Sequence, residues 1–487
     1  MQDEDALREV AKDCVHCGFC LPACPTYQLW AEEMDSPRGR IYLVNQILDG
    51  AELSASAAEH FDRCLGCMAC MTACPSGVQY DQLIEAARVW TEEARSGSGV
   101  QPAIAARTSD AGADGQVAEV RGAAPGGPGE PGAGAGPGVP DLPPAPKRPV
   151  RDRVARTAIF ALFPYPKRLR AVTAPLRVVQ RTGLDKRLSR SRLPARVSPA
   201  LGAAMRLAPP TVPAAAGRPL PRHVAARGTR RAVVGMLTGC VQSVFFPQVN
   251  AATARVLAAE GCDVVIPRDQ GCCGALSSHS GREAEAIAFA QQTIATFEQA
   301  GVDAIVVNSA GCGSAMKEYE RLLARTGGAS AGGNWAERAA EMSGKVRDLA
   351  EFLAELGPVA PRHPLPVTAA YHDACHLAHA QGITRQPREL LRAIPGLKLV
   401  ELGDAGTCCG SAGVYNLLQP EAASELGARK AESALATGAP LLVSANPGCS
   451  LQIASALADR GEHIAVAHTA EVLDASIMGR PLRTLLG

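Results

Sequence analysis

Apolar and polar positions follow a strict rhythm after residue 231, where short apolar runs alternate with stretches of helical period. AVVGML, starting at Ala232, reads as a strand running into Gly239 and Cys240, and CDVVIP reads as another that ends just before GCCGAL. REAEAIAFAQQTIATFEQA has the period of a helix, and DAIVVNSAGCG opens as a strand. The same order returns in VTAAYHDAC, LKLVELGDAGTCCG, EAASELGARKAESALATG and PLLVSANPGC. Strands alternating with helices imply parallel sheets covered on both faces. Residues 232–358 and 359–487 are therefore expected to be two copies of one parallel α/β domain.

The pattern changes twice further upstream. Within residues 1–95, SPRGRIYLVNQILDG predicts a helix with Ser36 as N-cap, Pro37 at its first position and Gly50 as its stop. Ile41, Val44, Ile47 and Leu48 fall on one face of it. Residues 96–150 are rich in Gly, Pro and Ala and poor in large apolar side chains, so burial cannot offset their ordering entropy and a disordered linker is expected. Residues 151–231 carry 19 Lys and Arg against two acids, Asp152 and Asp185, a net of +17. There, AIFALFPYPKRLRAV mixes apolar, aromatic and cationic residues as membrane-interfacial segments do. A basic, partly helical connecting segment facing an acidic partner subunit is the competing reading. No nucleic-acid recognition module accompanies the charge, so no nucleic-acid partner is expected.

Composition and chemistry narrow the class. The 49 Lys and Arg of the whole chain nearly cancel its 48 Asp and Glu. No apolar run approaches the ~18 to 20 residues of a membrane span, and the acidic N-terminus MQDEDALREV has no secretory h-region. The expected location is cytoplasmic, peripheral on the inner face of the cell membrane. Of the 17 cysteines, eight stand in two runs, CVHCGFCLPACP and CLGCMACMTACP. Each is C-x2-C-x2-C-x3-C-P, the run that holds a [4Fe–4S] cluster in two-cluster ferredoxins, where the fourth thiolate serves the other cluster. The first cluster is thus assigned to Cys14, Cys17, Cys20 and Cys74, and the second to Cys64, Cys67, Cys70 and Cys24. The 39 residues between Cys24 and Cys64 exceed what a minimal β-rich ferredoxin uses, so a mostly helical module is expected.

Eight further cysteines repeat with the α/β domains. Cys240, Cys272, Cys273 and Cys312 correspond to Cys375, Cys408, Cys409 and Cys449 at offsets of 135, 136, 136 and 137 residues. All lie at strand ends, where open α/β sheets place ligands. Each set of four suits either an iron–sulfur cluster or a zinc ion. Gly274 and Gly410 are expected to let the backbone approach whatever is bound. Cys262 has no counterpart and reads as a buried apolar thiol. His279, His372, His376 and His379 lie near these cysteines, as ligands, proton relays or hydrogen-bonding supports. His468 reads as a helix cap. Arg38 and Arg40 read as steering or cluster-stabilising cations or as a solvated helix face, and His16 as a group that tunes solvent access.

At these residues the chain resembles the iron–sulfur subunits of glycolate oxidase. CGFCLPACPTY, SPRGRIYLV, CLGCMACMTACPSGVQY, LTGCVQ, CCGALSSHSG, NSAGCGSAMKEY, YHDACHLAHAQGI, CCGSAGVYN and HTAEVL carry the likeness. The order is a tandem ferredoxin motif, a linker and two CCG domains. The resemblance implies an electron-transfer subunit of an acceptor-dependent oxidoreductase, inactive alone and without catalytic residues of its own. No dinucleotide fingerprint or P-loop opens a strand–helix unit, so FAD belongs on a partner flavoprotein that oxidises glycolate, with a membrane quinone or similar acceptor downstream. Iron–sulfur subunits of lactate and glycerol-3-phosphate dehydrogenases share the pattern, as does the B subunit of heterodisulfide reductase. The reductase form ends each CCG domain in C-x2-C, where this chain has Ala315 and Gln452. That departure argues against a noncubane cluster and disulfide chemistry.

Overall fold

A computed structural model describes residues 4–96, 145–181, 199–207, 220–325 and 334–486. Each α/β lobe holds a sheet whose strands come in the same spatial order. The first contains β1 (His223–Val224), β2 (Ala232–Met236), β3 (Cys262–Val265), β4 (Ala304–Val307) and β5 (Val346–Asp348), ordered β1-β3-β2-β4-β5. The second contains β6 (Val367–His372), β7 (Leu397–Glu401), β8 (Leu441–Ser444) and β9 (Ala465–His468), ordered β7-β6-β8-β9. Apart from β1, which runs antiparallel to β3, every pairing is parallel. The duplicated parallel α/β architecture expected from the sequence is present, with one added edge strand.

The strand composition explains this. Val234, Val264 and Val306 in the first sheet and Leu441, Leu442 and Val443 in the second are fully buried. Such unbroken apolar runs suit parallel strands covered by helices on both faces. Those helices include Pro247–Ala259 and Glu283–Glu298 in the first lobe and Arg385–Arg392 and Pro420–Ala436 in the second. The lobes are joined by one continuous core in which Leu257 and Val264 cluster with Tyr371, Leu391 and Leu473. Arg255 pairs across the join with both oxygens of Asp474, at 2.7 and 2.8 Å. Glu260, 0% exposed, accepts hydrogen bonds from the amides of Val359 and Ala360 and from Arg362, at 2.6, 2.9 and 2.8 Å.

The N-terminal module is helical, as expected. Helices Glu4–Lys12, Pro37–Leu48, Ala55–Arg63 and Tyr80–Ser96 enclose Phe61 and Leu83. Ser36 caps the second of these by accepting from the Gly39 amide, and Ile41, Val44, Ile47 and Leu48 are its buried face. Gly50 follows the helix at φ +98°, which glycine adopts without the strain of a Cβ.

Residues 97–144, most of the linker expected on composition, lie outside the described residues. From Ala145 the chain is already bound to the ferredoxin module. The Ala145 amide donates to Leu53 O at 2.9 Å, and Arg148, 5% exposed, bonds Asp62 and Glu92. Composition alone missed this because the anchor is one guanidinium meeting two carboxylates. The basic segment uses part of its apolar content internally. In helix Val150–Leu162, Ile159 and Phe160 pack on Ala203, Val414 and Leu417, so apolar residues expected at a membrane interface are used internally. Arg153, Lys167, Arg168 and Arg170 remain exposed. Among the described residues no helix is long and apolar enough to cross a membrane.

Replacing Glu260 with Ala should lower the thermal unfolding midpoint strongly. It strands the Arg362 guanidinium and two amides in a buried site, a loss of about 3–5 kcal/mol for one partner of a buried pair. A midpoint within a degree of the parent in scanning calorimetry would refute the role given to this carboxylate.

Candidate metal centres

The two cysteine runs are brought together in crossed fashion. Cys14, Cys17, Cys20 and Cys74 line one cavity beside Arg38, Ile41 and Pro75. Cys24, Cys64, Cys67 and Cys70 line a second beside Arg40 and Tyr80, and Cys70 also reaches the wall of the first. Cys17 is exposed, whereas all four thiols of the second set are buried. Burial pushes the Cys67 and Cys70 thiols up. At Cys64 burial is outweighed by the guanidinium groups of Arg40 and Arg88, and the thiol falls below its ordinary value. The Gly66 amide donates to Cys64 Sγ at 3.4 Å. Thiol donors, nearby cations and an amide aimed at sulfur make a donor set that fits an iron–sulfur cluster.

Arg38 and Arg40 separate in the structure. Arg38 pairs with Glu33 and donates to His16 O at 3.1 Å, bracing the outer loop, where His16 itself sits at φ +53°. Arg40 is 1% exposed and serves the inner cavity, not the first cluster or solvent. It bonds Asp35, Thr26 Oγ1 and His60 O, because Asp35, 0% exposed, requires a buried cation.

In both lobes the repeated cysteines lie beyond the C-terminal ends of the strands. Cys240 opens helix Cys240–Phe245 after β2, Cys272 and Cys273 follow β3, and Cys312 lies in helix Ala310–Lys317 after β4. Cys240 Sγ is 3.7 Å from Cys272 Sγ, and Cys375 Sγ is 4.0 Å from Cys408 Sγ. The Gly274 and Gly410 amides donate to Cys272 Sγ and Cys408 Sγ at 3.3 and 3.5 Å. Both glycines have positive φ, +85° and +86°, and a Cβ would lie 3.1 Å from Ala286 O and 2.8 Å from Ala423 O. Each glycine therefore lets a helix, Glu283–Glu298 in the first lobe and Pro420–Ala436 in the second, seat against the CCG turn. His372, Cys409 and Cys449 place one ligand atom each within 4.8 Å of one another, all buried.

Three family descriptions match the chain. The 4Fe-4S dicluster domain covers residues 10–78, the cysteine-rich CCG domain residues 234–317 and 369–454, and the linker region of the glycolate oxidase iron-sulfur subunit residues 151–208. The probable glycolate oxidase iron-sulfur subunit of Bacillus subtilis is 34% identical over 449 residues, covering 91% of this chain and 88% of that protein. The glycolate oxidase iron-sulfur subunit of Escherichia coli is 33% identical over 455 residues, 92% and 90% of the two chains. The chain belongs to the glycolate oxidase iron–sulfur subunit family. Lactate utilization protein A of an Exiguobacterium species is 32% identical over 245 residues, which is 98% of that protein but 50% of this chain.

The chain's other candidate residues divide into ones beside the thiols and structural ones. His468 is structural: Nδ1 accepts from the Ala470 amide at 3.0 Å, leaving Nε2–H to donate to Asn308 O across the lobes at 2.8 Å. His379 is likewise held, between Thr72 Oγ1 and Gly406 O, both at 2.9 Å. Cys262 is a fully buried core residue whose thiol burial pushes up to about 11. His279 and His376 meet at a tilt, with ring centroids 4.9 Å apart, where the lobes meet the ferredoxin module, and His376 Nδ1 lies 3.5 Å from Cys375 Sγ. Burial holds His372 at about 3, with Lys430 adding to the effect, so its imidazole is neutral. Gln452, where the reductase form has a cysteine, spends its amide on Asn416 and Ala423 O. Sequence reasoning missed Arg88, which donates to Cys64 O at 2.8 Å, because nothing in its helical context marks it as buried.

Gly410→Ala should destabilise the protein more than Gly438→Ala. Gly438 has φ +64° with open space around its would-be Cβ, so it bears only the left-handed cost of about 1–2 kcal/mol. Gly410 adds the close approach of Ala423 O. Equal unfolding midpoints for the two variants would refute the helix-seating role.

Proposed function

We propose that the chain is the iron–sulfur electron-transfer subunit of a glycolate oxidase complex, carrying electrons from a flavoprotein that oxidises glycolate toward a membrane quinone. The supporting observation is the sequence of thiol sites from surface to interior. Cys17 is exposed, the second set is buried, and Cys67 of that set shares an apolar cluster with Cys375 and Cys408 of the second lobe. In this reading Cys14, Cys17, Cys20 and Cys74 would hold the outer [4Fe–4S] cluster, and Cys24, Cys64, Cys67 and Cys70 the inner one. When bound, these clusters supply the one-electron carriers that divide a two-electron oxidation into single steps. Arg40 and Arg88 offset the negative charge of the inner thiolates, and the helices around them exclude water. Val15 and Phe19, 69% and 66% exposed, flank Cys17 and offer a flavoprotein an apolar landing beside the outer site. Cys240, Cys272, Cys273 and Cys312, and Cys375, Cys408, Cys409 and Cys449, would hold further metal, as iron–sulfur or zinc. The lactate reading is weaker, since those relatives align with half the chain.

The full chain, reconstituted anaerobically, should hold about eight iron atoms in the ferredoxin module alone. Cys24→Ser should perturb the paramagnetic signal of the cluster held by Cys64, Cys67 and Cys70, because Cys24 shares their cavity. Loss of only the other cluster's signal would refute the crossed ligation. The chain alone should not oxidise glycolate or lactate, and adding the flavoprotein should restore quinone reduction. Turnover by the flavin-free chain would overturn the function.

The exposed cations Arg153, Lys167, Arg168 and Arg170 are the proposed contact with anionic lipid or an acidic partner. Salt shortens the Debye length from about 10 Å at 0.1 M to about 3 Å at 1 M, so a high-salt wash should release the protein from membranes without detergent. Extraction by detergent alone would show the contact to be apolar instead.

A further inference from the structure

The two lobes repeat their cysteines but not their histidines. His372 ends β6, and its counterpart at the end of β2, at the same offset of 135 residues as Cys240 and Cys375, is Leu237. His372 is 1% exposed, and neither of its ring nitrogens has a hydrogen-bond partner among the described residues. A buried imidazole without partners loses the hydrogen bonds it had in water unless something else binds it. Cys409 and Cys449 are that something else's other neighbours. The three ligand atoms lie within 4.8 Å of one another, and no other three such groups among the described residues are so close. Two donors on one tetrahedral ion, each at about 2.0–2.3 Å, lie about 3.5–3.8 Å apart, so a small inward closure of this triangle makes a coordination site.

We propose that His372 is a nitrogen ligand to the metal of the second lobe, which makes that centre a mixed sulfur–nitrogen site with no counterpart in the first. The proposal rests on the reading that the second lobe binds metal through its cysteines, and goes beyond it in the donor set. The imidazole stands in for the fifth thiolate that neither lobe possesses. At position 452 the glutamine is already committed to Asn416 and Ala423, so the extra ligand comes from the strand end instead of the helix. Neutral nitrogen in place of thiolate leaves the centre one unit less negative than an all-cysteine site with the same number of ligands.

The test uses the full chain purified anaerobically, with iron and zinc measured in the parent and in Cys449→Ser. If the serine variant loses no metal, the second lobe is not a metal site, and both the reading and the proposal fall. If it does lose metal, His372 is examined directly. For iron, pulsed electron paramagnetic resonance of protein labelled with 15N-histidine should show a strongly coupled nitrogen. For zinc, X-ray absorption at the zinc edge should show one imidazole among the sulfur ligands. His372→Leu, which installs the first lobe's own residue and fills the same space, should remove the nitrogen signature. It should also speed metal loss to a chelator by at least the roughly 10- to 100-fold that an outer-shell substitution costs. His376→Gln, beside Cys375, should leave the signature in place. An all-sulfur coordination in the parent, or a signature lost in His376→Gln and kept in His372→Leu, would overturn the proposal while leaving the metal site standing.

Discussion

The buried ion pair between Arg40 and Asp35 is the contact on which the ferredoxin module depends. Both side chains are almost fully removed from solvent, at 1% and 0% exposure. Left alone, either charge would be costly there, but a third group changes the balance: the inner cavity gathers thiols that carry negative charge once they bind metal. Arg40 faces that cavity while holding Asp35, and Asp35 also receives Arg63 and the His60 ring. Through Thr26 and His60 O the same guanidinium joins the helix after the first cysteine run to the helix before the second. One cation thus holds the two runs side by side and faces the cavity to which both contribute thiols.

The inner site also determines how the rest of the protein is assembled around it. Arg88 spans the gap between Cys64 O and the meeting point of the lobes. On one side Arg321 of the first lobe pairs with Asp81 and Glu85 of the helix that carries Arg88. On the other, Tyr415 of the second lobe donates to Arg63 O at 3.1 Å, and His379 meets Thr72. These polar contacts frame a small apolar cluster in which Leu65, Cys67 and Ala69 meet Cys375 and Tyr415, whereas the lobes join one another through a larger shared core. The ferredoxin module is thus fixed in orientation more than it is dissolved into the fold. Orientation is what electron transfer between neighbouring centres requires.

This division explains which features were legible in the sequence. Local and periodic features were: the Ser36 cap, the Ile41–Val44–Ile47–Leu48 face and the duplicated strands all follow from chain-neighbour chemistry and recur in the structure. Features created where separate segments meet were not. Arg40 looks like any helix-face cation until Asp35 and the inner thiols close over it. Phe160 looks interfacial until Val414 and Leu417, some 250 positions away, cover it. His372 could be placed near the cysteines by position alone, but its lack of hydrogen-bond partners is a property of the assembled strand end. At each CCG turn the glycine also meets a helix from further along the chain, Glu283–Glu298 or Pro420–Ala436, which no motif spacing reveals.

Duplication supplied two equivalent thiol pairs, and their surroundings then made them unequal. In the first lobe Cys240 and Cys272 are covered by Phe289, whose ring meets Tyr165 of the linker edge-on at 5.9 Å. In the second, Cys375 and Cys408 are covered by Leu65, Cys67 and Ala69 of the ferredoxin module. The same position in the fold is therefore insulated by an aromatic lid in one copy and placed against a cysteine of the inner site in the other. The second copy is also the one with a buried imidazole where the first has a leucine, so both differences fall at the same end of the sheet. The two lobes share one fold and one apolar core and differ at this end of their sheets, where the repeated thiols and His372 sit on turns and strand ends.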